Sequence, residues 1–120
     1  MKFSKFLLIF VFVSGFLSVA FGAFGAHALK DILTEKGMDN WETAVLYQMF
    51  HTAALIGIFS LRNVPKYVAW FFMIGIVLFS GSLFAYSLTG IGFLVVLTPL
   101  GGVSFLAGWL GMIIYAVRMK

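Results

Sequence analysis

From Tyr67 to Val117 the chain runs 51 residues without a Lys, Arg, Asp or Glu. Two shorter intervals share the property, 24 residues from Phe6 to Leu29 and 19 from Thr43 to Leu61. A soluble domain of 120 residues has a large surface to cover with polar groups. Here hydrophobic residues make up 62% and charged residues 10%, against about half and a quarter in soluble domains. The solvent of such intervals is hydrocarbon. A helix needs about 20 apolar residues to cross a bilayer, so the two shorter intervals hold one span each and the long one holds two. The expected fold is all-α: one integral membrane bundle of four transmembrane helices, over about 6–28, 43–61, 67–88 and 99–118.

Local signals place the connections. Thr89-Gly90-Ile91-Gly92 breaks the long interval. Thr98-Pro99 reads as an N-cap followed by proline at the first helical position. That leaves 93–97 either as an upward extension of the fourth span or as an interfacial piece. Residues 29–36 read as a short helical continuation stopped by Gly37. Asp39 or Asn40 then caps the second span, with Trp41 at interface level. Met1 to Ala28 has the basic start of a signal peptide, and Ala26-His27-Ala28 matches its cleavage pattern. The apolar stretch exceeds the roughly 7–15 residues of such signals, so the first span is expected to be retained.

The formal charge of +4 is not gathered into a patch. Basic residues sit at segment ends without interleaved exposed aromatics, which excludes nucleic-acid binding. Lys2, Lys5, Arg62, Lys66, Arg118 and Lys120 fall on one side of the four-span arrangement, and Lys30 and Lys36 on the other. Basic residues favour the cytoplasmic side, so both termini are expected there, in the bacterial cytoplasmic membrane. The absence of cysteine excludes disulfides, thiolate metal sites, a cysteine nucleophile and a lipoprotein anchor.

Helices in lipid associate through close packing of small residues. Ser14, Ser18, Gly22 and Ala26 repeat every fourth position, with Gly25 beside them. Gly101, Ser104, Gly108 and Gly111 form a second smooth face, and Gly75 and Ser80-Gly81-Ser82 mark the third span. If turned outward, the first stripe would serve a homo-oligomer or a membrane-protein partner.

Polar side chains inside a bilayer are costly and are candidates for function. His27, Tyr47, Gln48 and His51 stand out, and Gln48 and His51 share a helical face. A metal site is disfavoured, because no carboxylate lies within the membrane and the histidines differ in depth. A proton or ion relay wants a longer chain of titratable groups. The plainer reading is interhelical hydrogen bonding that docks the first two spans. No paired carboxylates, nucleophile elbow, phosphate loop or dinucleotide fingerprint occurs. No enzymatic activity, cofactor or metal is therefore expected.

Gly22-Ala23-Phe24-Gly25-Ala26-His27, then Trp41 and Tyr47-Gln48 with His51, then Leu78-Phe79-Ser80-Gly81-Ser82, then Thr98-Pro99, Gly101-Gly102 and Gly108-Trp109-Leu110 follow in order along nearly the whole chain. In these motifs the chain resembles the YgdD/YwdK-like family of small bacterial membrane proteins, a domain of unknown function with a similar eukaryotic transmembrane branch. The resemblance implies a multi-pass inner-membrane protein and no particular activity. The leading expectation is a structural or interaction protein of the cytoplasmic membrane. The alternative is a small-solute or ion transporter or channel component, acting as an oligomer.

Overall fold

A computed structural model describes residues 4–120. It is all-helical, with four rods among those residues, running alternately up and down. α1 covers Lys5–Ala28, α3 Lys66–Thr89 and α4 Leu94–Val117, each 24 residues and each long and apolar enough to cross a membrane. α2 covers Glu35–Phe59 and is less apolar, with Glu35, Lys36, Asp39 and Glu42 in its first turns. α2 packs on α1 and α3, and α4 packs on α3. The core gathers Leu7 and Val11 of α1, Leu55 and Ile58 of α2, Val68 and Phe72 of α3 and Phe105 of α4.

The ends follow from capping. Ser4 Oγ accepts from Leu7 N at 3.2 Å and starts α1. Thr34 Oγ1 accepts from Gly37 N at 2.9 Å and starts α2. That corrects the expected start: 29–33 forms turns, and Gly37, Asp39 and Asn40 lie inside the helix. The Thr34 hydroxyl satisfies an amide of the first turn, and Glu35 favours the positive end of the helix dipole. Gly90 closes α3 in the left-handed conformation, φ 70°, its amide donating to Tyr86 O at 2.8 Å. The expected cap at Thr98-Pro99 is also corrected. α4 begins at Leu94 and carries Pro99 inside it. Unpaired backbone is costly near hydrocarbon, so 94–97 continue the helix and only the hydrogen bond that Pro99 cannot donate is lost. Thr98 turns its hydroxyl to Ser82 Oγ on α3.

Two of the rods are not uniform. α1 widens into a π turn at Ala20–Gly25 and α3 at Ile76–Ser80. Each is tied to α2: Trp41 Nε1 donates to Phe21 O at 2.9 Å, and Ser80 Oγ donates to Ala44 O at 2.8 Å. Trp41 is thus buried against Gly25. A Cβ on Gly25 would stand 2.8 Å from the indole nitrogen.

Three of the glycines of α4 meet α3 closely. A Cβ on Gly101 would stand 2.3 Å from Phe79 N, one on Gly108 2.5 Å from Phe72, and one on Gly111 2.9 Å from Tyr67 and Val68. Ser104 Oγ donates to Phe71 O at 2.7 Å in the same seam. Gly81 differs, since a Cβ there would meet no atom within 4 Å. It lines a groove of about 280 Å³ between α1 and α3 and makes no close packing contact.

Charge separates along the rods. Arg62, Arg118 and Lys120 line one crevice at one end, where Tyr115 donates to Arg62 O at 2.7 Å. Lys36 and Gly90 line another at the opposite end. Lys2 lies outside the described residues.

Gly101→Ala should destabilise the protein by about 1–3 kcal/mol, because backbone of α3 has to move. Gly57→Ala, whose Cβ would meet nothing within 4 Å, should be neutral or stabilising through helix propensity. Thermal unfolding in detergent reads both.

Candidate functional site in the membrane-level polar centre

The polar residues of α2 separate into two clusters on opposite flanks. On the α1 side Gln48, 4% exposed, donates through Nε2 to Ser14 O and to Ser14 Oγ, each at 3.2 Å. Ser14 Oγ lies 2.8 Å from Thr52 Oγ1, and Thr52 donates to Gln48 O at 2.6 Å. With the Thr52 proton directed to that carbonyl, the Ser14 hydroxyl is the donor to Thr52. The bonds therefore close a ring that begins and ends on Gln48. Ser18 Oγ adds a bond to Ser14 O at 2.8 Å. The Ser14 carbonyl can only accept, which fixes the amide orientation and leaves Gln48 Oε1 buried without a donor.

On the other flank His51 is buried among rings. It stacks on Phe105 with centroids 3.6 Å apart and planes 10° apart. Its Nδ1 lies 2.8 Å from Tyr47 O, and its Nε2 lies 3.0 Å from Trp109 Nε1. A carbonyl only accepts and an indole N–H only donates. Both bonds form together only in the neutral tautomer protonated on Nδ1. Neither ring nitrogen is left over for a metal or a second proton. Among the described residues no three or more His, Asp or Glu gather into a metal-binding group.

The expected site residues therefore part company. Tyr47, Gln48 and His51 stay together on α2, but Gln48 docks α1 while His51 docks α4. The expectation that both histidines help dock the first two spans is corrected: His51 bonds to α4, and His27 is exposed at the end of α1, without a hydrogen-bond partner among the described residues. Ser14 and Ser18 are buried against α2, and a Cβ on Gly22 would stand 3.2 Å from Val45. Ala26 is half-buried on the same rod. The small-residue stripe is thus turned inward and gives no outward face. Reading the sequence missed Thr52, Ser80, Trp41 and Trp109 as partners. Gly25 and the Gly108-Trp109 pair were the available signals, as small residues beside or facing a large ring.

Between α2 and α4 a groove of about 680 Å³ opens sideways. Its floor includes Phe79 and His51, its walls Tyr47, Phe105 and Trp109, and Leu46 and Leu106 form an exposed rim. Pro99 and Gly102 line it from α4.

With this geometry in view, comparison with known proteins decides the family. Residues 21–102 match the family model described as protein of unknown function, DUF423. The chain belongs to that family. It is 43% identical over 122 aligned positions to the UPF0382 inner membrane protein YgdD of Escherichia coli K12, covering 98% of this chain and 93% of the relative. It is 45% identical over 102 positions to the UPF0382 membrane protein SH2409 of Staphylococcus haemolyticus, covering 82% and 84%. No solved structure matches. The chain is accordingly a membrane protein embedded in a lipid bilayer, and the family description names no biochemical role.

Trp109→Phe leaves His51 Nε2 without its donor and should cost about 1–3 kcal/mol. Adding His51→Phe removes both partners, so the double variant should lose much less than the sum of the two singles. A double-mutant cycle on detergent unfolding curves measures the difference.

Proposed function

We propose that the chain is a single domain that crosses the membrane four times with both termini cytoplasmic. It works without enzymatic turnover or conduction, by holding partners or ligands of the lipid phase. The observation that carries this reading is that most of the intramembrane polar groups, Gln48 Oε1 excepted, are bonded to one another. Gln48, Ser14 and Thr52 form one ring of bonds, and both nitrogens of His51 are occupied. A transport path or an acid–base site needs polar groups open to water or substrate, whereas these hold helices together.

Several features support the fourth span. From Thr43 to Phe59 α2 carries no Lys, Arg, Asp or Glu. Its low hydropathy comes from charged first turns and from Gln48 and His51, which face protein and not lipid. Arg62, Arg118 and Lys120 meet at one end, and Lys36 lies at the other; that asymmetry favours cytoplasmic termini. The inward-turned Ser14 stripe is not available to a membrane partner or a second copy. The surface left to them is the lipid-facing side of α4, where Val103 and Leu106 are exposed.

A reporter active only outside the cytoplasm should be silent when fused after Lys120 and active when inserted between Lys30 and Lys36. Liposomes containing the protein should leak protons and potassium no faster than protein-free ones. A flux that His51→Leu abolishes would replace this reading with the relay.

A further inference from the structure

Where α3 begins and α4 stops, a crevice of about 570 Å³ is lined by Arg62, Arg118 and Lys120. Asn63 and Tyr67 add an amide and a phenol to its walls. The Tyr67 hydroxyl has no hydrogen-bond partner among the described residues. Local structure builds the crevice. Asn63 takes the left-handed conformation, φ 62°, and Pro65 immediately precedes α3, so the connection from α2 turns sharply. The Tyr115 hydroxyl, donating to Arg62 O at 2.7 Å, pins that turn against the last turns of α4. Arg62 and Arg118 are thereby brought to one place from separate parts of the chain.

No acidic side chain lines the crevice. The chain has four acidic residues, Asp31, Glu35, Asp39 and Glu42, and all belong to the opposite end, in the connection from α1 and the first turns of α2. Three like charges in one crevice repel one another, and an anion seated among them relieves that.

The position along the rods says where the anion comes from. α3 and α4 have 24 residues each, about 36 Å at 1.5 Å per residue, against roughly 30 Å of hydrocarbon. Their ends therefore stand in the headgroup layer, level with lipid phosphates. Ile114 and Met119 carry the crevice wall onto the exposed apolar face of α4 at Leu110, Ile113 and Val117. A free phosphate would use the donors and leave that wall bare, whereas a phospholipid uses both. Guanidinium groups meet phosphate oxygens in paired hydrogen bonds. A zwitterionic lipid also brings an ammonium group, for which the crevice has no carboxylate side chain. We propose that the crevice binds the headgroup of a net-anionic phospholipid, with Arg62 and Arg118 holding its phosphodiester, Lys120 adding charge and an acyl chain lying along Ile114. The site needs only α3 and α4 in the bilayer. It is independent of the orientation and of the fourth span, so failure of either reading leaves the other standing.

The test counts lipid adducts by native mass spectrometry on the full chain in a nonionic detergent, titrated with dioleoyl phosphatidylglycerol or with dioleoyl phosphatidylethanolamine. The expected result is one saturable phosphatidylglycerol adduct, formed at about tenfold lower lipid concentration than any phosphatidylethanolamine adduct. Arg62→Gln and Arg118→Gln should each weaken it about tenfold, a step of about 1.4 kcal/mol. Both arginines are exposed, so glutamine leaves the packing intact, and circular dichroism checks that each variant is folded. Lys30→Gln combined with Lys36→Gln removes two charges from the opposite end and should leave the adduct unchanged. Millimolar inorganic phosphate should not displace the lipid. Equal binding of the two lipids, an adduct indifferent to both folded arginine variants, or one weakened as much by the lysine pair overturns the proposal. Displacement by inorganic phosphate makes free phosphate the occupant and overturns it as well.

Discussion

In hydrocarbon a polar atom has no water to turn to, and nearly everything in this bundle follows from where α2 sends its polar atoms. The helix carries Trp41, Gln48, His51 and Thr52 within three turns. Each finds its partner on a different rod or on α2 itself. Trp41 and Gln48 reach α1, His51 receives a bond from α4, and α3 reaches back through Ser80. α2 is the least apolar rod because it is the one that the other three are fastened to. Its reduced hydropathy and its position in the bundle have the same cause.

The second organising force is close approach. α4 meets α3 through Gly101, Gly108 and Gly111, where side chains of any size would collide with Phe79, Phe72 or Tyr67. The result is a seam in which phenylalanine rings from one helix lie on bare backbone of the other, with Ser104 adding a hydrogen bond. Dispersion gained along such a seam is what holds helices together when the surrounding lipid is as apolar as they are. α2 and α4, by contrast, meet only across rings, and there the lateral groove remains.

The sequence announces the rods through charge, because a missing ion over 51 residues is a one-dimensional fact. The α4 seam is equally visible, since glycines three and four apart must lie on one face. What pairs with what is less visible. His51 and Trp109 are 58 positions apart, and no local pattern links them. Trp41 carries the signature of an interfacial anchor, and only the π turn opposite it explains why the ring goes inward. Thr98-Pro99 has the form of a helix start. That motif is overridden because Ser82 offers Thr98 a partner, and because open backbone beside lipid costs more than one missing amide bond. Gly81 reads as one more packing glycine, yet it borders empty space, a distinction that depends wholly on the neighbouring rod.

The π turns have a further consequence for how this chain can change length. A π turn holds one residue more than the α-helix it interrupts, so it works as a phase shifter between the two halves of a rod. Losing one residue within Ala20–Gly25 would let the helix close up and leave everything beyond at its present angle to Ser14 and Ser18, whereas closing the turn with no residue lost would rotate that part by about 100°. Gly25 would then swing off the Trp41 indole, and the Lys30 connection would leave on another bearing. In α3 the same closure of Ile76–Ser80 would keep the lower contacts of Phe72 with Gly108 but carry Ser82 away from Thr98. Each of these two rods is therefore two short helices with separately set azimuths, and the bonds from the Trp41 indole to Phe21 O and from the Ser80 hydroxyl to Ala44 O lock the angle between them.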